Sequence, residues 1–162
     1  MKKFLTLTCL TALTFAAFAA GNLKADDLNV GTISAKTEVK AGFTVVPVKG
    51  VVVEDKAKEP IKNGDIAYTK RIKTNGIDDG IQFSAKKGEV VTIVATCASK
   101  DNARQVSVRN AAGKTVGALT APAWNMSSPL FSTGTVEIPE DGDYVVRGVK
   151  DGGLYIFEID VK

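Results

Sequence analysis

Residues 135–161 read TVEIPEDGDYVVRGVKDGGLYIFEIDV, and the fold is decided there. The stretch holds three runs rich in β-branched and aromatic residues, separated by turn chemistry at 139–143 and 151–153. In the last run Tyr155, Phe157, Ile159 and Val161 share one phase of a two-residue period, while Glu158 and Asp160 share the other. That alternation predicts a closing strand with one apolar face and one wet face.

Working outward, short runs of Val, Ile, Thr and Tyr recur from Asp27 onward without a sustained 3.6-residue apolar period. The reading predicts strands over 28–33, 42–48, 51–54, 66–74, 80–85, 90–98, 105–110, 115–119, 135–138, 143–149 and 154–161. Lys49-Gly50, Asn63-Gly64, Asn75-Gly76, Asp79-Gly80, Lys87-Gly88, Ala112-Gly113 and Asp141-Gly142 supply turn residues between them. Many short strands with frequent glycine turns predict an all-β chain, an antiparallel two-sheet β-sandwich of jelly-roll-like type. The most charged connection is 55–63, and the longest is 120–132, with Pro122, Trp124 and Pro129.

Residues 1–19 have the parts of a secretory signal peptide: Lys2 and Lys3, an apolar run to Phe18, and Ala17-Phe18-Ala19 as a small-x-small cleavage site. Cleavage after Ala25 is the second possibility, which leaves one domain over 26–162. The expectation is a secreted or periplasmic protein with no membrane span after cleavage. Without Lys2 and Lys3 the chain keeps 19 basic residues against 18 acids. Near-neutrality argues against nucleic acid as a partner. Only Cys97 follows the leader, in phase with Val91, Ile93 and Ala95, so the chain forms no internal disulfide and the thiol reads as a core side chain.

The pieces at 27–33 (DLNVGTI), 42–45 (GFTV), 51–54 (VVVE), 68–76 (YTKRIKTNG), 141–144 (DGDY) and 152–157 (GGLYIF), in that order, resemble the β-sandwich module attached to secreted bacterial pectate lyases and related polysaccharide-acting proteins. The resemblance implies a β-sandwich and carbohydrate binding. It supplies no set of binding residues to carry over, and the sequence departs from the usual setting in having no catalytic lyase domain beside the module.

The residues themselves argue against an enzyme. The chain has no histidine, and its one thiol outside the leader is at a core phase, so neither a Ser-His nor a Cys-His nucleophile can be assembled. No cofactor is called for. Glu140, Asp141 and Asp143 could offer oxygens to Ca²⁺, although solvated acids on a turn explain them as well.

Arg71 and Lys73 share a face of the predicted 66–74 strand with Thr69, opposite Tyr68 and Ile72. Two cations and a hydroxyl in line could hold a uronate carboxylate. A solvated face or a cross-strand ion pair is the competing explanation. Trp124, the sole tryptophan, could stack on a sugar from its long loop or fold down to close the sandwich. The expected function is a secreted non-catalytic module binding a polysaccharide, acidic or neutral. The alternative is a structural or adhesive cell-envelope protein that binds another protein through its sheet surface.

Overall fold

The computed structural model describes residues 21–124, 131–150 and 152–162. The leader expected over 1–19 and the middle of the long loop, including Pro129, lie outside the described residues. In chain order the strands are β1 (Asn22–Lys24), β2 (Gly31–Ile33), β3 (Thr37–Lys40), β4 (Phe43–Val46), β5 (Val51–Asp55), β6 (Ile61–Asn63), β7 (Ile66–Tyr68), β8 (Lys70–Thr74), β9 (Gly80–Ala85), β10 (Val90–Cys97), β11 (Arg104–Asn110), β12 (Thr115–Ala121), β13 (Ser132–Glu137), β14 (Gly142–Gly148) and β15 (Leu154–Val161).

They form two antiparallel sheets packed face to face, the predicted jelly-roll-like sandwich. The first sheet runs β13-β10-β15-β8-β5-β2, and the second runs β12-β11-β14-β9-β4-β3. The short β6–β7 hairpin stands apart from both. Strand β15 shares one edge between two partners: β8 pairs with Tyr155 and Ile156, and β1 pairs with Glu158, Ile159 and Asp160.

The core between the sheets follows from the period of two. Phe43 and Val45 of β4, Val51 and Val53 of β5, Ile81 and Phe83 of β9, Val106 and Val108 of β11, and Tyr144 and Val146 of β14 all point inward. Cys97 is among them and fully buried, with its thiol donating to the Asn102 carbonyl oxygen at 2.9 Å, so it is the core side chain its phase predicted.

The closing strand departs from the expected single face. Val94 of β10 pairs with Glu158, but Ala95 pairs with Ile156, leaving Phe157 as an extra residue in the ladder. Such a bulge flips the phase of everything beyond it. Leu154, Ile156, Ile159 and Val161 therefore face the main core, while Tyr155 and Phe157 face the opposite side of the sheet. All four predicted apolar residues are buried, in two different clusters.

The expected 66–74 strand also breaks. Thr69 is a bend between β7 and β8, fixed because the Asp26 carboxylate accepts the Thr69 N–H (2.8 Å), the Thr69 hydroxyl (2.9 Å) and the Lys70 N–H (2.7 Å). The break resets the phase, so Tyr68 and Arg71 lie on the same outer face while Ile72 alone enters the main core.

Candidate functional site

The outer face of the first sheet carries the second apolar cluster: Ile61, Tyr68, Val94, Trp124, Tyr155 and Phe157, with Phe131 packed against it. The β6–β7 hairpin and the segment after β12 cover it. Tyr68 packs on Phe157 at 4.9 Å between ring centroids, and Trp124 meets Tyr155 edge-on at 5.3 Å. Burial, with the Glu158 carboxylate second, pushes the Tyr68 hydroxyl up to about 12.

Arg71, singled out in the sequence, lies in this cluster and is 6% exposed. Its Nε and Nη2 both donate to Glu54 Oε2 at 2.6 Å, and its guanidinium carbon sits 3.6 Å from the Tyr155 ring centroid and 5.0 Å from that of Trp124. Lys73 shares its face as expected and reaches Glu54 Oε1 at 3.7 Å. Glu54 thus gathers Arg71, Lys73 and Lys56. The Thr69 hydroxyl is turned to Asp26, and Trp124 is 6% exposed, folded down over the sheet. The structure brings Arg71, Lys73 and Trp124 together, and spends their charge and ring area on one another and on Glu54.

The acidic turn after β13 is also internally bonded. The Asp141 carboxylate accepts the Lys87 N–H at 2.8 Å, Asp143 accepts the Ser84 hydroxyl, and the Tyr144 hydroxyl donates to the Glu140 carbonyl at 2.6 Å. Among the described residues no three carboxylate, thiol or imidazole side chains converge as a metal site.

The outer face of the second sheet is different: its strands carry polar side chains with no covering layer among the described residues. Ser107 pairs across from Arg147, Arg109 from Val145, Val145 from Gln82, and Gln82 from Thr44. Opposite Arg147 stands Gly80, whose missing side chain leaves room for the Val145 side chain. The result is a depression of about 280 Å³ lined by Val46, Gln82, Arg109, Asn110, Val145 and Arg147.

The Arg109 guanidinium is positioned from below. Arg109 Nε donates to the Ser107 hydroxyl at 3.1 Å, and that hydroxyl donates to the Arg147 carbonyl at 3.3 Å. Arg147 Nη1 lies 3.9 Å from the carboxylate of exposed Asp78, a loose contact, and its buried Nε has no partner among the described residues. Flat apolar floor from Val46 and Val145, amides from Gln82 and Asn110, and planar donors from two arginines form a set that can hydrogen-bond vicinal hydroxyls or carboxylates. A second, separate depression of about 370 Å³ lies toward the other end of β11, lined by Arg104, Gln105, Thr120, Val149 and Lys150.

The sequence reading passed over these residues. The available signal was alternation: Gln105, Ser107 and Arg109 in one strand, and Asp143, Val145 and Arg147 in another, each opposite a run of core residues. What it lacked was the pairing of β11 with β14, which places the two phases side by side.

No protein-family model matches the chain, and no curated protein sequence matches it. Among solved structures, the K2 cleaved adhesin domain of Lys-gingipain is 12% identical, with 89% of this chain and 99% of that one covered and a TM-score of 0.55. This likeness is one of fold, in agreement with the sandwich described above. A family 36 carbohydrate-binding module in complex with calcium and xylotriose is 10% identical over 87% of this chain and 98% of that one, with a TM-score of 0.47. A carbohydrate-binding module from Cellvibrio mixtus lichenase 5A in complex with cellotriose is 12% identical over 88% and 96%, with a TM-score of 0.48.

Proposed function

We propose that the protein is an exported, non-catalytic module that binds polysaccharide and works alone or beside a polysaccharide-acting enzyme. The observation that carries this reading is the open face of the second sheet, where Gln82, Asn110, Arg109 and Arg147 surround an apolar floor of Val46 and Val145. An extended glycan chain lies naturally along strands, offering hydroxyls to such donors and ring faces to such a floor. The resemblance to modules of secreted pectate lyases supports the same class of ligand. In this reading Thr69, Arg71 and Trp124 hold the first sheet together, and Lys73 stands at the edge of that cluster.

A non-catalytic role agrees with the chemistry at the groove. Asp143 is the one carboxylate among its described lining residues, and it is engaged by Ser84. A glycosidase-type mechanism requires two carboxyls facing across the bond.

Affinity electrophoresis of the purified protein in gels containing individual soluble polysaccharides tests the proposal. Retardation by at least one polysaccharide, relieved by Gln82→Ala, is the expected result. Retardation by none, together with recovery of the protein in cell-envelope protein complexes, would favour binding of another protein through the sheet surface.

A further inference from the structure

The two depressions on the second sheet lie along one track, the paired strands β11 and β14. Along β11 the outward phase runs Arg109, Ser107, Gln105, and the facing phase of β14 runs Val145, Arg147 and then Val149, whose N–H donates to the Gln105 carbonyl. The first depression lies at the Arg109 end and the second at the Gln105 end. Arg104 and Arg109 are five positions apart on extended strand, a span of about 17 Å at about 3.4 Å per position.

Charge along this track is one-sided, although the chain outside its leader is nearly neutral. The described lining residues of the two depressions include four cations, Arg104, Arg109, Arg147 and Lys150, and one carboxylate, Asp143. The neutral Ser84 hydroxyl that donates to Asp143 leaves its charge in place, and Asp78 lies 3.9 Å from Arg147, so four cations face two carboxylates and the balance is positive. Arg109 makes its hydrogen bonds to neutral oxygens, those of Ser107 and Gly148, so its charge is not cancelled locally. By contrast the cations of the first sheet, Arg71, Lys73 and Lys56, converge on Glu54. A row of cations spaced along strands suits a polymer whose negative charges also recur along its length.

Resting on the glycan-binding reading, we infer that the ligand is an acidic polysaccharide, lying along β11 and β14 with successive carboxylates or sulfates against Arg109, Arg147 and Lys150. Guanidinium supplies planar paired donors to either group.

The test is calorimetric titration of the whole exported chain with polygalacturonate, dextran sulfate, neutral dextran and galactan, and single-stranded DNA, each at low and physiological salt. Arg109→Ala, Arg147→Ala and Lys150→Ala are compared with Lys58→Ala, an exposed lysine away from the track. Urea midpoints show whether each variant keeps its fold. Polygalacturonate or dextran sulfate should bind, and binding should weaken as salt rises. Whichever of the two binds identifies the anion as carboxylate or sulfate. Arg109→Ala should lower affinity about tenfold, the equivalent of one charged hydrogen-bonding partner, with Lys58→Ala unchanged. Oligogalacturonides or sulfated oligosaccharides of increasing length should gain affinity until they span both depressions.

Equal binding of a neutral glycan, insensitive to salt and to Arg109→Ala, would overturn the acidic-ligand inference and leave glycan binding standing. Failure of every glycan would overturn both. Equal binding of DNA would replace the glycan with a general polyanion and overturn the inference.

Discussion

The guanidinium of Arg71 lies against the ring of Tyr155, 3.6 Å from its centroid, while its Nε and Nη2 are held by Glu54 on the neighbouring strand. A residue whose sequence position suggests an exposed ligand-gripping cation is therefore the central tie of a buried aromatic cluster. Replacing it removes a desolvated cation–π contact, worth about 2 kcal/mol, and a largely buried ion pair. Arg71→Ala should cost about 2 to 4 kcal/mol in urea denaturation, the lower end reflecting that Glu54 keeps Lys56 and Lys73 nearby. An unchanged midpoint accompanied by loss of glycan binding would return Arg71 to the role of a direct contact.

A second tie concentrates on one carboxylate. Asp79 Oδ1 accepts the N–H groups of Val48, Lys49 and Gly50, and Oδ2 accepts those of Asn75 and Gly76. Burial alone would raise its pKa, but these donors outweigh burial and lower it. A carboxyl with a depressed folded pKa stabilises the fold fully above its unfolded value, about 3.9, and loses that contribution as pH falls through the folded value. Asp79→Asn would turn an amide NH₂ toward two N–H donors and should cost about 3 kcal/mol or more at neutral pH. The stability gap between wild type and this variant should close as pH drops below about 4. A gap that stays constant into that range would show that the Asp79 charge is not what holds the turn.

The contrast between β15 and the rest shows what a two-residue period can and cannot convey. Alternation located the strand, its burial and its partner cluster for Ile159 and Val161, because nothing interrupts the ladder there. It failed at Phe157, since a bulge is decided by the opposing strand, where Val94 and Ala95 of β10 skip one residue. The bend at Thr69 failed to show for the same reason: its cause is the Asp26 carboxylate, 43 residues away in sequence. Lys73 was correctly placed beside Arg71, but their common partner Glu54 comes from the pairing of β5 with β8. Arg109 and Arg147 went unremarked because each is a single cation within an ordinary strand pattern, and only register makes them neighbours.

The N-terminal strand links the proposed leader-cleavage site to stability. Leu23 and Ala25 are fully buried, Asn22–Lys24 pairs with β15, and the Gly21 carbonyl accepts the Val161 N–H at 2.9 Å. A chain beginning at Asp26 loses these groups and leaves half of one β15 edge unpaired. It should be less stable than a chain beginning at Gly21 by about 3 to 5 kcal/mol, since burial of Leu23 alone is worth much of that. Leader cleavage after Ala19 keeps the strand, so mass spectrometry of the exported protein should find Ala20 first. An exported protein that starts at Asp26 and unfolds at the same urea concentration as the longer form would sink this account.

The last prediction joins the packing of the second sheet to its proposed ligand track. A Cβ added to Gly80 would meet Val145 Cγ2 at 2.6 Å and the Val146 carbonyl oxygen at 3.0 Å, with Arg147 Cβ at 3.5 Å. The nearest obstacle is a branched side chain in the groove floor, and the next is backbone, so neither can move aside freely. Gly80→Ala should therefore cost about 1 to 3 kcal/mol, as overpacking does, and push Val145, in the groove floor, out of place. Lys58→Ala, at an exposed position away from the groove, leaves Val145 and Arg147 where they are. If the groove binds glycan, Gly80→Ala weakens binding in the folded protein while Lys58→Ala retains it. Undiminished binding by a folded Gly80→Ala variant would place the ligand elsewhere on the molecule.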